Sequence, residues 1–192
     1  MSTDPIIKRL CVFCGSSQDV DPEYLQAARL IGQTLAKRGI GVVYGGGDVG
    51  MMGQVAKGAM ESGGEVFGII PQKLMQREIA HMGLTELFVV DNMRTRKAMM
   101  ATMSDGFLTL PGGLGTFEEL FEVATLTQLG YHHKPVGMLN IKGYFEPLKA
   151  FLEHAADVGF VRPQHRDLIH FENTLDALLA AFEADLRRAP KA

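Results

Sequence analysis

The stretch at residues 110–120, "LPGGLGTFEEL", combines a turn that could bind an anion with two carboxylates. Three glycines and a proline separate the apolar run "GFLTL" from a segment with the pattern of a helix. We expect Glu118 and Glu119 in the first turn of that helix, where the helix dipole alone would stabilise them. Backbone amides at a helix N-terminus also favour phosphate. The stretch is therefore either a tight strand-to-helix connection or an anion-binding turn with a carboxylate aimed at the ligand.

Two other apolar runs also end in turns of unusual composition. After the first, "CGSSQDVDP" offers Gly15 for close backbone approach, and Ser16 and Ser17 as hydroxyl and amide donors. The second turn is "YGGGDVGMMG", whose glycines include Gly45, Gly46, Gly47 and Gly50. Two glycine-rich turns that each open a helix favour a phosphate-bearing ligand. Neither turn is the dinucleotide GxGxxG motif that follows the first strand and is completed by an acidic residue at the end of the second strand, and no Walker lysine is followed by Ser or Thr.

A basic cluster lies in "DNMRTRKAMM", residues 91–100. Arg94, Arg96 and Lys97 fall in the first turns of a predicted helix, where positive charge opposes the dipole. They form either a solvated basic face or a group in which Arg96 and Lys97 face an anion or a carboxylate. The planar guanidinium fork suits phosphate and carboxylate recognition. It is not an ordinary general acid, because it holds its proton too tightly.

The cysteines and the paired histidines have simpler interpretations. Cys11 and Cys14 lie in an apolar run, "IIKRLCVFCGSS", where residues three apart on a strand point to opposite faces. No second cysteine pair completes a zinc site, so we predict buried structural thiols. His132 and His133 follow Gly130 in "LGYHHKP" with no third ligand at metal-like spacing. We predict a surface turn there and no metal site.

The elements that must position these groups alternate along the chain. The predicted strands are "RLCVFCG", "GVVYGGG", "EVFGII", "ELFVV", "GFLTL" and "PVGML". The predicted helices cover residues 22–38, 50–62, 93–104, 144–158 and 175–188, and a further helix follows the glycine-rich stretch quoted above and runs to about residue 130. Short, continuously apolar strands between helices predict an α/β fold, a Rossmann-like three-layer sandwich with a mainly parallel sheet. In such sheets ligands bind beyond the carboxyl ends of the strands, which is where the glycine-rich turns fall.

Composition restricts the class of protein. The 192 residues fit one domain spanning 1–192, and 46% hydrophobic with 21% charged residues is an ordinary globular profile. The net charge of −3 argues against nucleic acid as the main partner. No apolar run is long enough for a membrane span. The beginning, "MSTDPIIKRL", lacks the apolar core of a signal peptide, so we expect a cytoplasmic protein.

Several stretches together resemble the LONELY GUY (LOG) family, which is often mislabelled as lysine decarboxylase. They are "CVFCGSS", "VYGGGDVGMMG", "GIIPQKLMQRE", "MRTRKAMM" and "LPGGLGTFEELFEVATLTQLGYHHKPVGMLN". The similarity extends in the same order and spacing from the first strand to about Phe160. Its two signature motifs, PGGxGTxxE and the Arg-Lys pair, are both intact.

The resemblance implies a cofactor-free hydrolase that cuts the N-glycosidic bond of nucleoside 5'-monophosphates, releasing an adenine-type base and ribose 5-phosphate. Carried onto this chain, the catalytic pair is Arg96 and Glu119. The implied substrate contacts are Ser16, Gly45, Gly46, Gly47, Gly50, Glu78, Arg96, Lys97, Gly112, Gly113, Gly115, Thr116, Glu119 and Thr125. The resemblance also implies a homodimer with the active site close to the interface.

Alternatives stay open at this point. The substrate base is adenine, as in a general AMP nucleosidase, or an N6-prenylated adenine. A protein of another class, a non-catalytic molybdenum-cofactor carrier, would use the same turns to hold a phosphate-bearing cofactor. A lysine decarboxylase is disfavoured, because nothing resembles a pyridoxal lysine with its pyridinium and phosphate partners. The donor of the proton to the leaving base is also left open.

Overall fold

A sheet of seven parallel strands forms the centre of the computed structural model, which describes residues 6–75 and 83–189. The strand order is β4-β3-β2-β1-β5-β6-β7, and every neighbouring pair is parallel. The strands are β1 (Arg9–Phe13), β2 (Gly41–Tyr44), β3 (Val66–Pro71), β4 (Glu86–Val90), β5 (Gly106–Thr109), β6 (Val136–Leu139) and β7 (Ile169–Glu172). The predicted α/β class is confirmed.

Six helices cover the two faces of the sheet. They are α1 (Pro22–Lys37), α2 (Gly50–Glu61), α3 (Met93–Thr102), α4 (Leu114–Gln128), α5 (Glu146–Asp157) and α6 (Leu175–Arg188). Helices α1, α2 and α6 pack in one buried apolar cluster, and α3, α4 and α5 pack in the other. Since the central strands β2, β3, β5 and β6 are buried along their whole length, they are largely apolar rather than alternating.

The two cysteines show how the pleat of β1 serves both clusters. Cys11 packs among the residues under α3 and α4, and Cys14 packs in the cluster under α1 and α2. Both are buried and free, so the prediction of structural thiols on opposite faces is confirmed.

Two details of the sequence prediction need correction. The strand β7 was not predicted; its four half-buried residues add to β6 at the sheet edge, where pairing rather than a long apolar run defines the strand. Helix α4 begins at Leu114, which places Glu118 and Glu119 in the second turn, with no acidic residue in the first. The helix dipole therefore does not explain the two carboxylates, because its effect decays within the first turn.

The strand order places the glycine-rich turns side by side. The chain runs outward from β1 to β4 and then returns to β5 on the other side of β1, so the topological switch point lies between β1 and β5. The turns after β1, β2 and β5 follow adjacent strands at the same edge of the sheet. Among residues 6–75 and 83–189, no helix has the length and apolarity to cross a membrane.

Candidate active site

The turn between β5 and α4 packs directly against the turn that follows β1. The Gly15 amide donates to the Pro111 carbonyl at 3.0 Å. A Cβ on Gly112 would lie 2.1 Å from Thr116 Oγ1 and 2.8 Å from the Gly15 nitrogen. Thr116 is itself buried. Gly112 is therefore required by packing at the switch point.

Gly113 and Gly115 have no comparable reason to be glycine. No described atom lies within 4 Å of a Cβ built at either position, and neither residue has a positive φ. Gly113 is also the N-cap of α4 and offers no side chain to accept the first-turn amides. Those amides have no partner inside the helix. The open space and the unsatisfied donors together form a surface on which an anion can approach the backbone closely.

A cavity of about 340 Å³ opens at the switch point beside this surface. Its wall combines backbone of the two turns with the exposed Ser16 and Ser17 and with the side chains of two tyrosines. The lining residues are Gly15, Ser16, Ser17, Val20, Tyr24, Met51, Pro111, Gly112, Gly113 and Tyr144. The cavity lies where ligands bind in open α/β sheets.

Arg96 reaches the site from α3. The helix is capped by Asn92, whose side chain accepts from the Thr95 amide, and its only buried residues are Arg96 and Met100, one turn apart. Arg96 is 4% exposed, and its Nη2 donates to the Gly45 carbonyl at 3.0 Å. A Cβ on Gly45 would lie 1.8 Å from that nitrogen. The glycine at the end of β2 therefore makes room for the buried guanidinium.

Glu119 and Glu118 face different surroundings. Glu118 is exposed and pairs with Lys97, whereas Glu119 is half-buried. Burial raises the pKa of both the Cys11 and the Cys14 thiol, and the Glu119 carboxylate raises each further. The Arg96 guanidinium acts in the opposite direction on the Cys11 pKa. The charges of Glu119 and Arg96 therefore both act on the Cys11 thiol, whose raised pKa keeps it neutral.

The basic cluster of α3 divides into three environments. Arg94 is exposed to solvent, and Arg96 is buried. The Lys97 ammonium pairs with Glu118 and Glu122 on α4. Burial acts to lower the Lys97 pKa, but hydrogen bonds to the two carboxylates outweigh it and raise the pKa above its ordinary value. Arg96 and Lys97 therefore do not form a solvated basic face: Arg96 is buried, and Lys97 is paired with carboxylates.

The second glycine-rich turn, residues 45–53, is packed throughout. Gly46 has φ +80° and Gly50 has φ +58°, a region that other residues rarely adopt. A Cβ on Gly50 would lie 2.5 Å from the Ser16 carbonyl carbon, and one on Gly53 would lie 2.5 Å from the Asp48 carbonyl. Gly45, Gly46 and Gly47 are all buried. These glycines serve the backbone and its packing.

Of the two remaining predicted contacts, one lies outside the described residues and the other lines a different cavity. Glu78 lies outside the described residues. Thr125 is exposed on α4 and lines a separate cavity of about 570 Å³, whose other walls come from α5, the segment at residues 161–168 and β7. Sequence reasoning also missed Tyr24 and Tyr144. The available signal for Tyr144 was its place a few residues after β6, at the same sheet edge as the turns.

The paired histidines differ from the predicted surface turn in one respect. His133 is exposed, but His132 is half-buried, with its ring centroid 5.3 Å from that of Phe107. Its Nδ1 accepts from the Lys134 amide at 3.3 Å. Burial lowers the His132 pKa, and the charges of Lys134 and His133 lower it further. Over residues 6–75 and 83–189, no three His, Cys, Asp or Glu side chains are grouped as metal ligands would be.

Comparison with known proteins gives similarity over most of the chain. A family model described as "Possible lysine decarboxylase" matches residues 52–182. The chain is 49% identical over 162 residues to cytokinin riboside 5'-monophosphate phosphoribohydrolase LOG7 of Arabidopsis thaliana, covering 84% of this chain and 75% of that protein. It is 48% identical over 176 residues to the probable phosphoribohydrolase of the same kind LOGL5 of Oryza sativa subsp. japonica, covering 92% and 72%.

Solved structures with the same arrangement of strands and helices are more distant in sequence. The molybdenum cofactor carrier protein of Chlamydomonas reinhardtii is 23% identical, with a TM-score of 0.69 over 93% of this chain and 98% of that one. The protein TM1055 is 22% identical, with a TM-score of 0.71 over 92% and 99%. At this level of identity the likeness shows the shared fold alone.

Proposed function

The chain belongs to the LONELY GUY (LOG) family, and from that premise we propose that it is a cytokinin riboside 5'-monophosphate phosphoribohydrolase. It would cut the N-glycosidic bond of an N6-modified adenosine 5'-monophosphate to give the free base and ribose 5-phosphate. Relatives that share 46–49% of their residues with this chain carry that activity in their names. One observation carries the assignment: the charges of Arg96 and Glu119 both act on Cys11 in β1, and the turn after that strand packs against the turn that leads into the open N-terminus of α4.

The phosphate would bind at the start of α4. Gly113, Gly115 and Thr116 offer amides with no partner inside the helix, and the dipole of a 15-residue helix favours negative charge there. Ser16 adds a hydroxyl from the adjacent turn. Because Gly113 and Gly115 carry no side chain, phosphate oxygens can approach these amides without obstruction.

Glu119 would act on the sugar. As the glycosidic bond breaks, positive charge grows on the ribose ring and negative charge on the departing base. A carboxylate beside the ring stabilises that positive charge and orients the attacking water. The Glu119 charge acts on the buried, neutral thiols of Cys11 and Cys14, so part of its surroundings is poorly solvated, and this strengthens the interaction.

Arg96 would hold the reacting groups in place. Its guanidinium is fixed by burial and by the hydrogen bond to Gly45, so it can orient the Glu119 carboxylate or a substrate oxygen. It does not donate the proton to the leaving base, because a guanidinium stays protonated. The base either is already protonated when the bond breaks or takes a proton from water.

Lys97 does not suit the role of the pyridoxal lysine in a lysine decarboxylase, the activity that the description of the matching family model names. A pyridoxal lysine needs a free amine, and in such enzymes the pKa of the lysine is lowered. Lys97, the lysine nearest the pair in sequence, has a raised pKa and two carboxylate partners. It is therefore held as an ammonium ion.

The activity test uses purified protein with AMP and with isopentenyladenosine monophosphate, followed by chromatography of the free base. We expect base release from the prenylated nucleotide, and its ratio to release from AMP ranks this assignment against a general AMP nucleosidase. Glu119→Gln should lower turnover by at least about a hundredfold while AMP still binds, since it removes the charge that stabilises the transition state.

The matched control is Glu118→Gln, one residue earlier on α4. Glu118 is exposed and pairs with Lys97, which keeps Glu122 as a partner after the change. We expect turnover within about twofold of the unchanged protein, as for most surface substitutions. Equal turnover in the Glu119 variant and the control would refute the catalytic assignment. Binding without release from either nucleotide would support a carrier instead.

We further propose that the protein is a cytoplasmic homodimer. Large exposed apolar side chains on and just after α4 and α5 support association with a second copy, because exposed apolar surface marks interfaces. They include Phe121, Leu129, Phe151, Val158 and Phe160. Light scattering should give twice the chain mass of 21.0 kDa, and a mass of one chain would refute the dimer. Two free buried thiols suit a reducing compartment.

A further inference from the structure

We propose that Tyr144 is a positioning residue for phosphate: its hydroxyl holds the Gly112–Gly113 peptide so that the Gly113 amide points toward the bound anion. The inference rests on the proposed function, since it concerns how the same site recognises the phosphate of its substrate. Tyr144 belongs to the loop between β6 and α5, and its Oη donates to the Gly112 carbonyl.

Because of the peptide geometry, this one hydrogen bond also sets the orientation of the Gly113 amide. In a planar trans peptide the C=O and the following N–H point in opposite directions. Fixing the Gly112 carbonyl therefore fixes the Gly113 N–H on the other side of the same plane. Glycine dihedrals are soft, so a turn containing Gly112, Gly113 and Gly115 needs an outside restraint to keep one orientation.

The loop that carries Tyr144 is held rigidly. Asn140 is 5% exposed, and its Oδ1 accepts from the Phe145 amide at 2.9 Å. Its Nδ2 donates to Glu146 Oε1 at 2.8 Å and to Asn173 Oδ1 at 3.0 Å. Phe145 is fully buried directly after the tyrosine. The hydroxyl is thus presented from a preorganised loop, which limits the entropy lost when it holds the turn.

The same loop also contacts the N-terminal end of α1, on the other side of the cavity. Lys142 has φ 55°, and its ammonium lies 2.6 Å from Asp21 Oδ2 and 2.9 Å from Glu23 Oε2. The Tyr144 ring meets that of Tyr24 edge-on, with centroids 6.1 Å apart. The loop therefore bridges the two sides of the switch-point cavity, with Tyr144 as the contact to the phosphate-binding side.

The expected consequence is specific for the anion. Without the hydroxyl, the Gly112–Gly113 peptide can rotate and turn its carbonyl dipole toward the phosphate oxygens, which repel it. Recognition of the base and cleavage of the bond depend on other groups. Loss of the hydroxyl should therefore weaken phosphate binding and leave the chemical step intact, which is a change in KM rather than in kcat.

The test compares Tyr144→Phe with Tyr131→Phe, which removes a hydroxyl from a tyrosine that is 77% exposed. Calorimetry with ribose 5-phosphate, AMP and adenosine gives the affinities, and base release gives kcat and KM. For Tyr144→Phe we expect both phosphate-bearing ligands to bind about tenfold more weakly, from one lost hydrogen bond. Adenosine affinity and kcat should stay within about twofold, as should all values for the Tyr131 variant.

Two results for the Tyr144→Phe variant would overturn the inference. Unchanged ribose 5-phosphate affinity would mean that the hydroxyl does not set the turn, and an equal loss for adenosine would mean a general distortion of the site. The same measurements distinguish a failure of the Tyr144 proposal from a failure of the proposed enzyme activity. If the wild-type protein releases no base but binds ribose 5-phosphate, and Tyr144→Phe binds it less tightly, the hydrolase activity is refuted and the role of Tyr144 is supported. Wild-type protein that binds no ribose 5-phosphate refutes the role of Tyr144.

Discussion

The two glycine-rich turns of this protein look alike in sequence and differ in what their glycines do. In the turn at residues 45–53, Gly46 and Gly50 adopt positive φ, and Gly45, Gly50 and Gly53 have no room for a Cβ. In the turn at the start of α4, Gly112 alone is crowded, whereas Gly113 and Gly115 have ordinary φ and open space around them. The turn at residues 45–53 is therefore packed, and we infer that the turn at the start of α4 presents its backbone to a ligand.

The difference teaches how to separate a structural glycine from a functional one. A glycine that the fold requires reveals itself through a positive φ or a crowded Cβ. A glycine without either is unexplained by the protein alone, and an approaching ligand is the remaining physical reason. On this criterion we predict that Gly45 and Gly50 support the site and that Gly113 and Gly115 face the substrate. Three substitutions test the division.

The largest effect is expected on folding, from Gly50→Ala. The new Cβ would meet the Ser16 carbonyl carbon at 2.5 Å on a residue with φ +58°. Strain and overpacking together should lower the free energy of unfolding by roughly 3 kcal/mol. For a chain of this size that is a fall in Tm of about 6–12 °C, measured by calorimetry. An unchanged Tm would break the description of this turn as a packed support.

The next effect is expected on turnover, from Gly45→Ala. Its Cβ would lie 1.8 Å from Arg96 Nη2, so the guanidinium must leave its present position. If Arg96 positions the reacting groups, kcat should fall about a hundredfold, as when a charge-stabilising group is lost. Comparison with Arg96→Ala checks the cause. The double variant should be no slower than Arg96→Ala alone, and additive losses would contradict an effect through Arg96.

The smallest effect is expected from Gly115→Ala, and it concerns binding alone. Nothing within 4 Å opposes the methyl group, and alanine favours a helix more than glycine, so the free energy of unfolding should not fall. A phosphate that lies against the helix N-terminus would meet that methyl group. We expect about tenfold weaker binding of ribose 5-phosphate, near 1.4 kcal/mol. Unchanged affinity would show that the phosphate does not lie against Gly115.

Much of the fold followed from the sequence, because its signals are local. Continuous apolar runs bounded by glycine indicated buried parallel strands, and the five helices α1, α2, α3, α5 and α6 begin within two residues of their predicted starts. Helix α4 begins earlier than predicted, since the prediction placed Glu118 and Glu119 in its first turn. Strand β7 escaped because its four residues are half-buried at an edge and depend on pairing with β6. The two cysteines were placed on opposite faces from the pleat alone.

Within the site, the sequence by itself determined the candidates: the turns, the basic pair and two adjacent carboxylates of which one could face inward. Only the tertiary structure decided between them. Lys97 from α3 takes Glu118, while Glu119 lies toward the end of β1. Arg96 meets Gly45 from 51 positions away, and Tyr144 meets Gly112 from 32 positions away. Sequence periodicity describes neighbours along one element, whereas these partners are set by how separate elements pack on the sheet.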